Sequence, residues 1–229
     1  MANTRDIICF DFETGGANPH TCQPTQIAAI AIHGRKLTLQ PNGVFNSEIR
    51  PIIDDEKAIA AGVGPLEDKA LEITRKTREG LAKAPPPKIV WKKFTEFVNQ
   101  YNWKNTSFTA PIAAGFNIIA YDMPIVNRMC KQYGPYNNDR GEQKLFNPIF
   151  KMDLMDHIYC WFENNQDVKS YNMDYLRDYF GLPKDNAHDA LQDVKDTANI
   201  LIKFLKLQRG LLKKIKFEKS FANGDMYIE

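Results

Sequence analysis

The chain has 229 residues, 43% of them hydrophobic, enough for one large core or a core with an appendage. Its 30 Lys and Arg stand against 28 Asp and Glu, a net charge of +2, so no global field argues for nucleic acid or membrane. No signal-like segment opens it and no apolar run approaches the ~18 residues of a membrane span, so a soluble, cytoplasmic protein is expected.

The distribution of charge says more than its sum. From residue 69 to 104 Lys and Arg outnumber Asp and Glu by nine to three, and from 206 to 229 by six to three. Each stretch reads equally as a surface for a polyanion or as a solvated helix face. Cys9, Cys22, Cys130 and Cys160 form no C-x-x-C and no regular framework, which suits reduced thiols.

In chain order, "DIICFDF" is short, β-branched and aromatic, and apolar on both faces, the pattern of a central strand. "QIAAIAIHG" and "GVFNSEIRPI" predict a second and third strand in an antiparallel meander. Residues 56–82 are helical in composition, broken around "GVGP". "APPPK" is a rigid linker, and Val90, Phe94, Phe97 and Val98 then recur at helical spacing. "APIAAGFNI" returns to strand, followed by a helix through "MPIVNRMCKQY". Residues 134–148 predict a long polar loop, and "MDLMDHIYCWF" and "YNMDYLRDYFG" two helices, the second closed by Gly181 and Pro183. A last helix presents Leu191, Val194, Ala198, Leu201 and Leu205 on one face. Strands first, then strand and helices alternating, predict one α/β domain over residues 1–205 with a mixed sheet, and a basic tail over 206–229.

The chemistry-bearing residues are acids. In a strand Asp11 and Glu13 project from one face while Phe12 points away. Two adjacent carboxylates repel unless something positive lies between them, so the pair is either a divalent-cation site or two strand-end acids in water. Asp122 follows a predicted strand and opens a helix; alone it reads as an N-cap. Asp193 borders the buried stripe of the last helix, beside Val194, and His188 stands at that helix's start.

Asp11-x-Glu13, Asp122 and His188-x4-Asp193, in that order, resemble the DEDDh superfamily of 3′→5′ exonucleases. Within it the chain looks most like the catalytic domain of bacterial exonuclease I. "DFETGGANPHTCQPTQIA" is similar to the first motif, "GFNIIAYD" to the second and "NAHDALQDV" to the last, while "YDMPIV" also resembles animal three-prime repair exonucleases. The motifs span residues 7–205, with a looser match over 50–105 and Gly15 in place of a bulkier residue.

The resemblance implies an α/β ribonuclease H-like fold, a mixed central sheet flanked by helices, and a site for two Mg²⁺, with Mn²⁺ able to substitute. Two such ions about 4 Å apart serve phosphodiester hydrolysis by binding the attacking water and the leaving 3′-oxygen. By resemblance Asp11 bridges both ions, Glu13 and Asp193 complete the nucleophile side, Asp122 holds the other, and His188 is the general base. Phe12, Thr14, Asn117 and Tyr121 are implied to grip the terminal nucleotide. The expected substrate is the 3′ end of single-stranded DNA, released as nucleoside 5′-monophosphates. An exoribonuclease resembling ribonuclease T or oligoribonuclease, a polymerase proofreading subunit, and an inactive nucleic-acid-binding module remain alternatives. No protein partner is identified.

Overall fold

Ile7–Thr14 (β1) pairs antiparallel with Pro24–Ile32 (β2), which pairs antiparallel with Leu39–Glu48 (β3), the expected meander. Three short helices follow, Asp55–Ala60 (α1), Asp68–Ile73 (α2) and Arg78–Ala82 (α3), then the longer Pro87–Asn99 (α4), with Pro87 in its first turn. Ile112–Gly115 (β4) joins the free edge of β1 in parallel, and Asp122–Tyr133 (α5) leaves from its carboxyl end. A small hairpin, Tyr136–Asn137 (β5) with Glu142–Gln143 (β6), precedes Lys151–Asp153 (β7), which adds in parallel to β4. The helices Leu154–Phe162 (α6), Met173–Tyr179 (α7) and Ala190–Leu212 (α8) complete the chain as described by this computed structural model, which covers residues 4–182 and 189–214.

The sheet order β3-β2-β1-β4-β7 is mixed, and helices cover both faces: this is the α/β, ribonuclease H-like architecture expected from the sequence. Alternation along β1 splits the core in two. Ile8, Phe10 and Phe12 pack with Trp91, Phe94, Ile125 and Val126 of α4 and α5. Ile7 and Cys9 pack with Val194, Ala198 and Leu201 of α8. Phe10 stacks on Phe146 with ring centroids 5.1 Å apart. Among the described residues no helix is long and apolar enough to cross a membrane, and all four cysteines are free.

Four expectations are corrected. Residues 134–148 are not a featureless loop: they hold the β5–β6 hairpin and bury Gln143, Leu145, Phe146 and Asn147. The helix expected from Met152 begins at Leu154, because Met152 and Asp153 are spent in β7. The strand expected through Ile118 ends at Gly115, since Asn117 adopts φ 55°, a turn conformation that Asn tolerates. Gly115 is required there: a Cβ would lie 2.0 Å from the Ile118 side chain and 2.8 Å from the Phe10 carbonyl oxygen. The basic segment predicted as a tail starts inside α8, which runs on to Leu212; the segment beyond 214 lies outside the described residues.

Candidate active site

Asp11 and Glu13 occupy alternate positions of β1 and face the α8 side of the sheet, as period-two geometry requires. The β1–β2 register shifts between Glu13 and Thr14, a bulge at the strand end of the kind that re-aims side chains beside functional sites. Asp193 arrives from the first turn of α8, whose N-cap, Asp189, accepts from the Leu191 and Gln192 amides. One carboxylate oxygen from each of Asp11, Glu13 and Asp193 lies within 4.8 Å of the others.

Asp122 approaches from the opposite face, at the start of α5. It is 2% exposed, and its Oδ1 accepts the Phe12 N–H at 3.1 Å. Phe12 thus turns its ring into the α4–α5 core and its amide toward Asp122.

Crowding and burial leave these acids short of solvation. Burial, then the negative charge of Asp193, pushes the Asp11 carboxyl up from 3.8 to about 7, although the Arg177 guanidinium pulls it down. Glu13 is pushed from 4.5 to about 8 by burial and then by Asp11 and Asp193, with Lys76 opposing. Asp122 is raised by burial first and Asp11 second, against the lowering hydrogen bond from Phe12. The donor set is all oxygen, tightly spaced and electrostatically unsatisfied, which fits a hard divalent cation such as Mg²⁺ or Mn²⁺.

The acids open on a cleft of about 630 Å³. Thr14, Asn117 and Tyr121 line it, as does Phe12. The Thr14 and Tyr121 hydroxyls lie 2.6 Å apart, and Tyr121 donates to the Gly16 carbonyl at 2.9 Å. Leu66 fills the space beside Gly15, where its Cδ2 stands 2.3 Å from the position of an added Cβ. His188 lies outside the described residues.

Five residues escaped the sequence reading. Lys69, Ile73 and Thr74, in and after α2, line the cleft, so part of the basic stretch does meet it. Others in that stretch have partners of their own: Lys76, whose charge also acts on Glu13, with Gln26 and Glu48, Arg78 with Asp55 and Asp68, Lys92 with Glu96. Asp153 accepts from the Asn117, Ile119 and Met155 amides, fixing the turn before Asp122 while capping α6. An Asp just before a helical run was its only sequence signal. Arg177, buried behind Asp193, had none.

A mixed sheet with clustered carboxylates at the end of its central strand defines an α/β protein with a candidate divalent-cation site. The RNase_T exonuclease family profile matches residues 8–201, and the chain belongs to that family, in agreement with its DEDDh motifs. It is 24% identical over 216 residues to a PolC-type DNA polymerase III of Caldanaerobacter subterraneus subsp. tengcongensis, covering 92% of this chain and 12% of the polymerase. A zinc-bound complex of Escherichia coli exonuclease I with single-stranded DNA superposes with a TM-score of 0.67 at 19% identity, covering 96% of this chain and 43% of that one. Cell-death related nuclease 4 superposes with a TM-score of 0.64 at 14% identity, covering 90% and 65%. The chain therefore spans a small part of the polymerase and less than half of exonuclease I.

Proposed function

We propose that the chain is a metal-dependent 3′→5′ exonuclease that removes nucleoside 5′-monophosphates from single-stranded DNA. The observation that carries this reading is the convergence of Asp11, Glu13 and Asp193 within 4.8 Å at the mouth of the cleft, with Asp122 across β1. Asp11, Glu13, Asp193 and Asp122 would hold two divalent cations, which when bound supply a water activated at neutral pH and charge stabilisation at the leaving 3′-oxygen. Asp11, on the central strand and close enough for its charge to act on both Glu13 and Asp122, would be the ligand they share.

The protein's own residues do the rest. Phe12, Thr14, Asn117 and Tyr121 orient the terminal nucleotide, and Lys69 draws the backbone into the cleft. His188, by the motif it occupies, accepts the proton of the attacking water, a role suited to imidazole. His188→Ala should lower kcat by about 10²–10⁴-fold with little change in substrate binding. The acid limb of the pH–rate profile should vanish with it; a limb that persists assigns the base elsewhere.

A second reading, a proofreading nuclease working with a polymerase, is favoured by the match of nearly the whole chain to one segment of PolC-type polymerase. Both readings are tested by digesting labelled DNA and RNA oligomers, single- and double-stranded, in Mg²⁺. A paired end must first unstack, at a few kcal/mol, so single strands should be shortened faster than blunt duplex. A 5′-labelled strand should shorten progressively and a 3′-phosphate should block it. Cleavage of a closed single-stranded circle would sink the exonuclease reading. Stimulation by an added replicative polymerase would favour proofreading, and faster digestion of RNA than DNA an exoribonuclease.

A further inference from the structure

Arg177, on α7, is 1% exposed, and a cation that deep needs carboxylates at hand. Three surround it, each met by a different nitrogen. Nη2 donates to Asp193 Oδ1 at 2.6 Å, Nε to Asp196 Oδ2 at 3.1 Å and Nη1 to Asp174 Oδ1 at 3.1 Å. Asp196, itself 3% exposed, also accepts from Gln192 Nε2 at 2.9 Å. A hydrophobe would pack between α7 and α8 without the desolvation that burying this charge entails. The shortest of the three bonds, however, goes to the one partner that belongs to the cleft cluster.

We infer that Arg177 is a positioning residue for divalent-cation binding: it clamps the Asp193 carboxylate in the orientation at which it joins Asp11 and Glu13. This rests on the metal-dependent nuclease reading. A carboxylate bonded through Oδ1 to a fixed guanidinium loses its freedom to rotate, and that pre-orientation is what a ligand's supporting partner contributes. The positive charge does not spoil the site for a cation. One guanidinium stands against three carboxylates of its own, with Asp11 and Glu13 beyond them.

The test is Mn²⁺ binding to the full chain, followed by the electron paramagnetic resonance signal of free Mn²⁺, with oligonucleotide hydrolysis measured alongside. Arg177→Lys keeps the charge but cannot span three carboxylates; Arg177→Met removes both charge and fork. Each should weaken Mn²⁺ binding by about 10–100-fold, the usual cost of losing such a supporting partner. The Mg²⁺ concentration for half-maximal rate should rise in step, while KM for the oligonucleotide at saturating Mg²⁺ stays unchanged. Because Arg177→Met strands Asp196 as a buried charge, Arg177→Met with Asp196→Asn is the companion variant, checked by circular dichroism before titration. Wild-type affinity in folded Arg177→Lys or in the double variant overturns the inference and leaves the nuclease reading standing. Loss of fold in the double variant assigns Arg177 to stability alone and overturns it too. Failure of the wild type to bind Mn²⁺ overturns the nuclease reading itself.

Discussion

On the α8 side of β1, Asp11, Glu13 and Asp193 crowd within 4.8 Å, and the counter-charge nearest to them is a buried arginine. On the α5 side Asp122 stands deeper than any of them and accepts the Phe12 amide, which does not offset its burial and the charge of Asp11. The difference follows from how each carboxylate reaches the site. Asp122 opens a helix beside a strand end, where a free N–H of β1 is available. Asp193 lies one turn into a long helix, and the Arg177 guanidinium of α7 reaches its Oδ1. An acid beside a strand end can lean on neutral backbone, and one on a helix flank leans here on a charged side chain.

That contrast can be broken most sharply at Asp11. Asp11→Asn should abolish turnover, by ~10³-fold or more, since several kcal/mol of charge stabilisation pass through this ligand. The same change should stabilise the metal-free protein. Asp11 sits at about 7 in the fold against an ordinary 3.8, and Glu13 at about 8 against 4.5, so the folded state binds extra protons between those values. Their contribution to stability is fully present below about pH 4 and is lost as pH rises through 7 to 8. Thermal melts in chelator from pH 5 to 8.5 should therefore show declining stability, a shallower decline in Asp11→Asn, and recovery on adding Mg²⁺. A flat wild-type profile would contradict the crowding.

At Asp122 the comparison predicts a split between two substitutions. Asp122→Asn keeps an oxygen to accept the Phe12 amide and should melt at or above the wild type while losing activity. Asp122→Ala orphans that buried N–H and should cost about 1–3 kcal/mol of stability in urea unfolding. Equal stability of the two variants would mean the amide is not what holds this acid. The smallest effect is expected at Tyr121→Phe, which removes the hydroxyl shared with Thr14 and Gly16. A loss of about 0.5–1.5 kcal/mol, read as a rise in KM for a short oligomer with kcat nearly unchanged, would place this hydroxyl in nucleotide binding.

Much of the site was legible because its signals are local. Asp11 and Glu13 share a face by strand period alone, Asp122 follows a strand into a helix, and Asp193 sits one turn into an amphipathic helix. Thr14, Asn117 and Tyr121 ride on the same motifs and do line the cleft. The three-residue β7 is too short to carry a readable alternation, and it is a strand only because β4 offers it an edge. The buried segment at 143–147 looked like loop because its polar residues, Gln143 and Asn147, bond backbone groups rather than water.

By itself, then, the sequence determined which carboxylates belong together, the mixed α/β sheet that carries them and the class of chemistry they suit. Periodicity encodes which face a side chain takes within its own element, and the resemblance of the short motifs to a family grouped the acids across elements. Only the tertiary structure decided what surrounds those acids: Lys69 and Ile73 in the cleft, Asp153 beneath the turn before Asp122, and Arg177 behind Asp193. An arginine on a seven-residue helix reads as a surface residue until another helix crosses it. Its burial, its partners and its charge balance are properties of the crossing of α7 and α8, and no local pattern records them.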